Sequence, residues 1–254
     1  MATRTSSGSG GATLALLFLV GIALNTAIAV DAGWTRLVLR PSQASESSAE
    51  TEDIEALRRS ILYVQVRRCD GQGFSSGSAF VVAPGVLATA RHVISESLTC
   101  QAEIRVRDAQ GGEATVRVRA ADPGTDVALL EGADPSLPAL RLEASEPHLA
   151  VNDLVGVVTI GYPLPNQGGA TPDRAAISTD GNLSRFDATE GVFIVAGLNL
   201  NPGNSGGPVF VRGNGNVLGM AVAKVERADG LGVVVPADAI RQLFEQGARP
   251  EAAP

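Results

Sequence analysis

Histidine and cysteine are scarce in this chain, with two of each among 254 residues, and nowhere are they gathered into a ligand set. Structural zinc takes four such side chains and catalytic zinc three, so no metal is expected, and no other cofactor is implied. Basic residues are also outnumbered. Twenty Lys and Arg stand against 27 Asp and Glu, for a formal net charge of −7, and an acidic chain is a poor nucleic-acid binder. Glycine is plentiful, at 29 residues, yet none of it lies in the Gly-Lys-Ser/Thr or Gly-x-Gly-x-x-Gly contexts that cradle phosphates.

The informative glycines stand in Asn201-Pro202-Gly203-Asn204-Ser205-Gly206-Gly207-Pro208, directly before the strand-like run Val209-Phe210-Val211. Ser205 is the candidate nucleophile. A serine hydroxyl attacks at neutral pH only if a general base takes its proton and amide donors stabilise the oxyanion that forms. Glycines lack Cβ, so they adopt positive φ and let a substrate carbonyl approach the backbone.

Such a serine calls for a histidine and a carboxylate, which can lie anywhere in the chain. Of the two histidines, His92 ends the apolar run Val86-Leu87-Ala88-Thr89-Ala90 and can be held rigidly, whereas His148, in Glu146-Pro147-His148, reads as a surface turn. The carboxylate is sought in Asp122-Pro123-Gly124-Thr125-Asp126-Val127-Ala128-Leu129-Leu130. Asp126, at the mouth of a buried-looking run, needs a partner if ionised. Asp122 reads as the turn-opening residue, and Asp173, Asp180 and Asp187 as solvated loop acids.

With these segments in view the chain resembles the trypsin-like serine peptidases, most closely the bacterial branch that includes the HtrA/Deg-type proteases. Thr-Ala-Arg-His, Thr-Asp-Val-Ala-Leu-Leu and Asn-Pro-Gly-Asn-Ser-Gly-Gly-Pro occur in that family's order, over about residues 60 to 245. The resemblance implies that Ser205 attacks the scissile carbonyl, that His92 acts as base and then acid, and that Asp126 orients it. It places the oxyanion hole at the backbone amides of Gly203 and Ser205, and the substrate pocket around Asn199, Leu200, Val222 and Ala223. Zymogen-activated members carry an aspartate before the serine to pair with a newly freed N-terminal amine. Here that residue is Asn204, so activity without such cleavage is expected. A non-catalytic or latent binding or sensor module of the same fold is the alternative.

The fold expected is all-β. Short apolar runs recur between turn signals, as at Ser78 to Val82 and Val86 to Ala90 around Pro84-Gly85, or Pro208 to Val211 and Val217 to Val222 around Gly213-Asn214-Gly215. The resemblance makes these two six-stranded β-barrels, over residues 54–150 (His and Asp) and 151–247 (Ser, oxyanion hole and pocket), with the site in the cleft between them. Short helices are predicted at Thr51 to Leu57 and, after Pro236, at Ala237 to Gln246. Only a tail, 248–254, follows, so the PDZ domain that many HtrA/Deg-type enzymes carry after the protease is not expected.

Residues Ala12 to Val30 form a mostly apolar run whose strongest part, Leu14 to Leu24, is followed by the Ala-x-Ala pattern Ala27-Ile28-Ala29. It reads as an N-terminal signal or anchor helix within residues 1–30: a cleaved signal peptide, or a retained single-pass anchor, since Arg4 is its only charged side chain. Residues 31–53 read as a flexible linker, rich in Ser, Glu and Ala from Pro41 onwards. The protein is therefore expected to be exported, periplasmic or secreted, with membrane contact only if the helix is retained. Cys69 and Cys100 fit an exported protein as one disulfide bracketing the His92 segment, or remain two free thiols. The expected partner is a protein or peptide substrate; the oligomeric state is left open.

The pocket-base position Asn199 carries no acid, so a small or medium aliphatic side chain is expected before the cleaved bond. In a peptide-library cleavage profile these residues should dominate, and a profile led by Arg or Lys would contradict the expectation.

Overall fold

The computed structural model describes residues 24–31, 34–41, 56–143, 155–163, 177–198, 200–213, 215–224 and 230–248, and the chain divides into two compact units, 1–51 and 52–254. In the first unit, β1 (Leu24–Asp31) and β2 (Trp34–Pro41) pair as an antiparallel ribbon, with Ile28 opposite Leu37 and Val30 opposite Thr35. The sequence predicts a helix through Val30 and linker from residue 31, but the described part of that stretch is extended. Thr26, Ile28 and Val30 alternate along β1, and such β-branched side chains are better accommodated in a strand than in a helix. Residues 12–23 and 42–53 lie outside the described residues. Among the described residues no helix is long and apolar enough to cross a membrane.

The second unit holds two closed antiparallel barrels. The first is built from β3 (Ile61–Arg67), β4 (Phe74–Ala83), β5 (Val86–Ala90), β6 (Ile104–Arg107), β7 (Glu113–Asp122) and β8 (Val127–Glu131), in the order β3-β4-β5-β8-β7-β6. A 3₁₀ turn, Arg91–Ile94, and the short helix α1 (Ser95–Cys100) lie between β5 and β6. The second barrel contains β9 (Gly156–Gly161), β10 (Ile177–Asp187), β11 (Val192–Ala196), β12 (Pro208–Val211), β13 (Val217–Lys224) and β14 (Leu231–Pro236), closed as β10-β11-β14-β13-β12-β9. Both hairpins foreseen in the sequence are present, β4 with β5 and β12 with β13. The predicted boundary at 150/151 falls outside the described residues.

Two apolar clusters fill this unit, and register shifts at Leu218 and Val222 break the simple alternation of β13 between them. On β13, Leu218 and Ala221 face the interior of the second barrel with Val157, Phe193, Val209 and Val234. Val217, Met220 and Val222 belong instead to the large cluster that runs through the first barrel, with Phe80, Leu129 and Leu130. The barrels thus share a core along their seam.

Helix α2 (Ala237–Ala248) follows β14, as Pro236 and the spacing of Ile240, Leu243 and Phe244 predict. It packs against β7 and β8 of the first barrel as well as β13 and β14 of the second. Ile240 is fully buried, the Arg119 guanidinium lies 4.8 Å from the centroid of the Phe244 ring, and Arg241 donates to the carbonyls of Leu142 and Glu143. Of the predicted Thr51 to Leu57 helix, residues 56–58 make a helical turn and 51–55 lie outside the described residues.

Cys69 and Cys100 are joined in a disulfide, with Cα atoms 5.9 Å apart across a sequence separation of 31. It ties the turn after β3 to the end of α1. On the chain-entropy model a loop of this length contributes about 3 to 4 kcal/mol. Replacing both cysteines by serine should lower the urea midpoint accordingly and abolish its sensitivity to reductant; an unchanged midpoint would count against that contribution.

Candidate active site

His92 and Asp126 are brought together at the end of the β5–β8 pair, where Ala90 is opposite Val127. Asp126 has a positive φ of 57°, which Asp tolerates better than most residues. Its carboxylate accepts from the His92 backbone N–H at 2.9 Å and lies 2.6 Å from Nδ1 of the ring. A further bond, from Arg91 N to the Asp126 carbonyl at 2.8 Å, closes the loop. An ionised carboxylate only accepts, so Nδ1 carries the proton and Nε2 is left as a base. The ring is about half exposed, at 49% of its side-chain area, so Nε2 is reachable from solvent.

The serine loop begins with a turn closed by Asn204 N donating to the Asn201 carbonyl at 3.0 Å. Pro202 stands second and Gly203 third, at φ +102°, which is what a type II turn requires. Neither Gly203 nor Gly206 has room for a side chain. A Cβ on the former would lie 2.2 Å from the Tyr162 carbonyl oxygen, and one on the latter 2.1 Å from the Ser78 carbonyl oxygen. Among the described residues neither the Gly203 nor the Ser205 N–H has an acceptor.

The Ser205 hydroxyl donates to the Val222 carbonyl at 3.1 Å. Sequence reasoning assigns that bond to His92. The difference has a local cause, because the β13–β14 register shifts between Ala221 and Ala223, and the bulge at Val222 turns an acceptor towards the serine.

Ser78, Thr89 and Tyr162 support this loop from below. Ser78 N donates to the Ser205 carbonyl at 2.8 Å, its Oγ donates to the Gly203 carbonyl at 2.7 Å, and its carbonyl accepts from Thr89 Oγ1 at 2.7 Å. Tyr162 N donates to Ser78 Oγ at 2.9 Å. Burial raises the Tyr162 hydroxyl to about 12, so it stays protonated and bonded to the Ile61 carbonyl. Sequence reasoning passes over these residues; a small polar residue between Gly77 and the apolar run Ala79-Phe80-Val81 was the available signal.

The remaining predicted residues are placed as follows. Leu200 is half-buried against the second-barrel core, Val222 is buried, Ala223 lies in β13 with its side chain outside the described set, and Asn199 lies outside the described residues. Asp122 opens a turn as expected: the Gly124 N–H, with the Thr125 hydroxyl, holds its carboxyl below the usual range. Asp180 pairs with Arg212 at 2.8 Å, and Asp187 accepts from Thr189 N. His148 and Asp173 lie outside the described residues. Among the described residues, Cys69, Glu96 and Cys100 bring possible metal ligands within 4.8 Å of one another, but the two sulfurs are bonded to each other.

Several known proteins are similar to this chain, in sequence or in fold. The Bacillus subtilis (strain 168) protein named Serine protease Do-like HtrB is 31% identical over 96 residues, 35% of this chain and 21% of its own length; the chain thus spans about a fifth of the curated relatives it matches. The Rv3671c protease from M. tuberculosis, in its active form, superposes with a TM-score of 0.64 at 21% identity, over 89% of this chain and 97% of that one. The HtrA-type protease AlgW with tripeptide gives 0.61 at 23% identity, over 77% and 62%. The family model described as a trypsin-like peptidase domain matches residues 77–220. That match covers more than half of the chain and takes in His92, Asp126 and Ser205, and the chain belongs to the trypsin-like peptidase family.

Proposed function

We propose that this protein is a serine endopeptidase that hydrolyses peptide bonds through an acyl-enzyme on Ser205. The observation that carries the reading is the 2.6 Å contact between His92 Nδ1 and Asp126, on a loop that borders the serine turn. A Cβ on Gly206 would lie 3.0 Å from the backbone nitrogen of Ala90, two residues before the histidine.

The chemistry follows from these groups. Rotation about χ1 releases the Ser205 hydroxyl from Val222 and offers its proton to His92 Nε2. The Ser205 oxygen then bonds to the scissile carbonyl carbon, the proton passes to the imidazole, and Asp126 stabilises the imidazolium. The N–H groups of Gly203 and Ser205 receive the oxyanion; one such donor is typically worth about 10²- to 10³-fold in rate. Collapse breaks the C–N bond, and the amine leaves with the proton from Nε2. A water, deprotonated by His92, then hydrolyses the ester.

Three further features belong to this reading. Activity needs no newly cut N-terminus: Asn204 is neutral, 2% exposed, and its Oδ1 has no partner among the described residues, so the site has no carboxylate for an incoming amine. The pocket favours aliphatic side chains, because Leu198 and Leu200 crowd the strand at Gly232, where a Cβ would meet them at 3.0 to 3.2 Å. Export fits the Cys69–Cys100 disulfide, which persists in oxidising compartments.

A second reading, a latent sensor or binding module, is favoured by the serine hydroxyl resting on Val222 rather than on the imidazole. A fluorophosphonate probe separates the two. Labelling at rest that vanishes in Ser205→Ala supports a constitutive peptidase, labelling only after a stimulus supports latency, and none under any condition supports a binding module.

On the peptidase reading, Ser205→Ala should lower kcat by about 10⁴-fold or more, and Asp126→Asn by about 10⁴-fold with little change in KM, as measured on a cleavable peptide. Asn204→Asp buries a carboxyl without a cation, which raises its folded pKa above the unfolded value of about 3.9. Below about pH 3 the carboxyl is almost wholly neutral in both states and the substitution has its smallest effect. As pH rises only the unfolded chain ionises freely, so stability falls, by about 2 kcal/mol or more near neutrality. Equal losses in melting temperature at pH 4 and pH 8 would contradict this.

A further inference from the structure

Among the fully buried polar side chains with no task in the chemistry above, Ser78 is the one bonded to the serine loop. Ser78 is 0% exposed in β4, and a hydroxyl buried there without partners would cost about 1 to 3 kcal/mol. It is bonded through its N–H, its carbonyl and its hydroxyl, and the partners are specific. They are the carbonyl of Ser205 itself, the hydroxyl of Thr89 on the strand leading to His92, the carbonyl of Gly203 in the oxyanion turn, and the N–H of Tyr162 at the end of β9. Thr89 belongs to the first barrel and the other three to the second.

We infer that Ser78 is a positioning residue whose hydroxyl sets Gly203 relative to Ser205 and His92. The bond from Ser78 N to the Ser205 carbonyl survives any change of side chain. The hydroxyl bond to the Gly203 carbonyl does not, and among the described residues it is the only side-chain bond that the turn Asn201–Asn204 receives. That turn has a glycine third, so no Cβ there selects one sign of φ over the other. Type I and type II turns over the same four residues differ by reversal of the central peptide, the peptide that carries the Gly203 N–H. Ser78 holds the next peptide, through the Gly203 carbonyl, so losing its hydroxyl frees Gly203 on that side and lets the N–H one Cα away shift while the nucleophile stays in place; misplacement by about 1 Å is enough to cost about 10²-fold in rate.

The kinetic consequence rests on the peptidase reading; the positional one does not. The test compares wild type with Ser78→Ala, Ser78→Thr and Gly161→Ala. A Cβ at Gly161 would stand 3.0 Å from both Ser78 Oγ and Asn204 Oδ1, so it displaces the hydroxyl without removing it. With active sites titrated, Ser78→Ala should lower kcat about 10- to 100-fold with KM within about twofold. Ser78→Thr should recover most of the loss, and Gly161→Ala should fall between. Hydrogen exchange of peptides covering residues 201–207 should quicken about tenfold in Ser78→Ala while β7 is unchanged. A rise in KM at constant kcat, a threonine variant no better than alanine, or unchanged exchange would overturn the inference. If Ser78→Ala does not fold, the other two variants carry the same comparison. A wild type that neither labels with fluorophosphonate nor cleaves peptides ends the peptidase reading, and exchange alone then decides the role of Ser78.

Discussion

On the proposed reading a base on one barrel serves an alcohol on the other, which requires the seam between the barrels to hold its register to within about 0.5 Å. In this protein hydrogen bonds from Ser78 bridge that seam, and the chain is shaped around them. Gly203 and Gly206 are glycines because carbonyls of Tyr162 and Ser78 occupy the space where a Cβ would sit. The same crowding holds the serine loop between β9 on one side and the β4–β5 hairpin on the other. The shared apolar core beneath the seam supplies cohesion without direction; direction comes from the polar contacts.

The His92–Asp126 pair follows a different logic. Both residues follow or precede paired strands, β5 and β8, so their separation is fixed by a backbone ladder rather than by side-chain packing. The carboxylate also takes the His92 backbone N–H, which couples the orientation of the ring to that of the peptide carrying it. Asp126 accepts a left-handed backbone to do so, a local cost of the kind found at functional sites.

How much of this was legible in the sequence depended on how unusual each residue is for its surroundings. His92 and Ser205 stood out because a histidine at the end of an apolar strand and a serine among glycines have few structural reasons to be there. Helix α2 was legible because Pro236 and the Ile240, Leu243, Phe244 spacing state a helical period. Ser78 was not, since a serine in a strand looks like any other until its cross-barrel partners, one of them 125 residues away and another farther still, are in place. The Val222 bulge left no trace in composition, because a bulge is a matter of register between β13 and β14. At the N-terminus the apolar run misled: residues 24–31 pair with 34–41, and strand pairing overrode a run that reads as helix.

Helix α2 grows out of the second barrel yet covers β7 and β8 of the first, and Arg241 fastens it to carbonyls just beyond that barrel. A polypeptide grows from its N-terminus, so the first barrel is made before the helix that caps it, and β7 and β8 stay uncovered on that side until Ala237–Ala248 has followed.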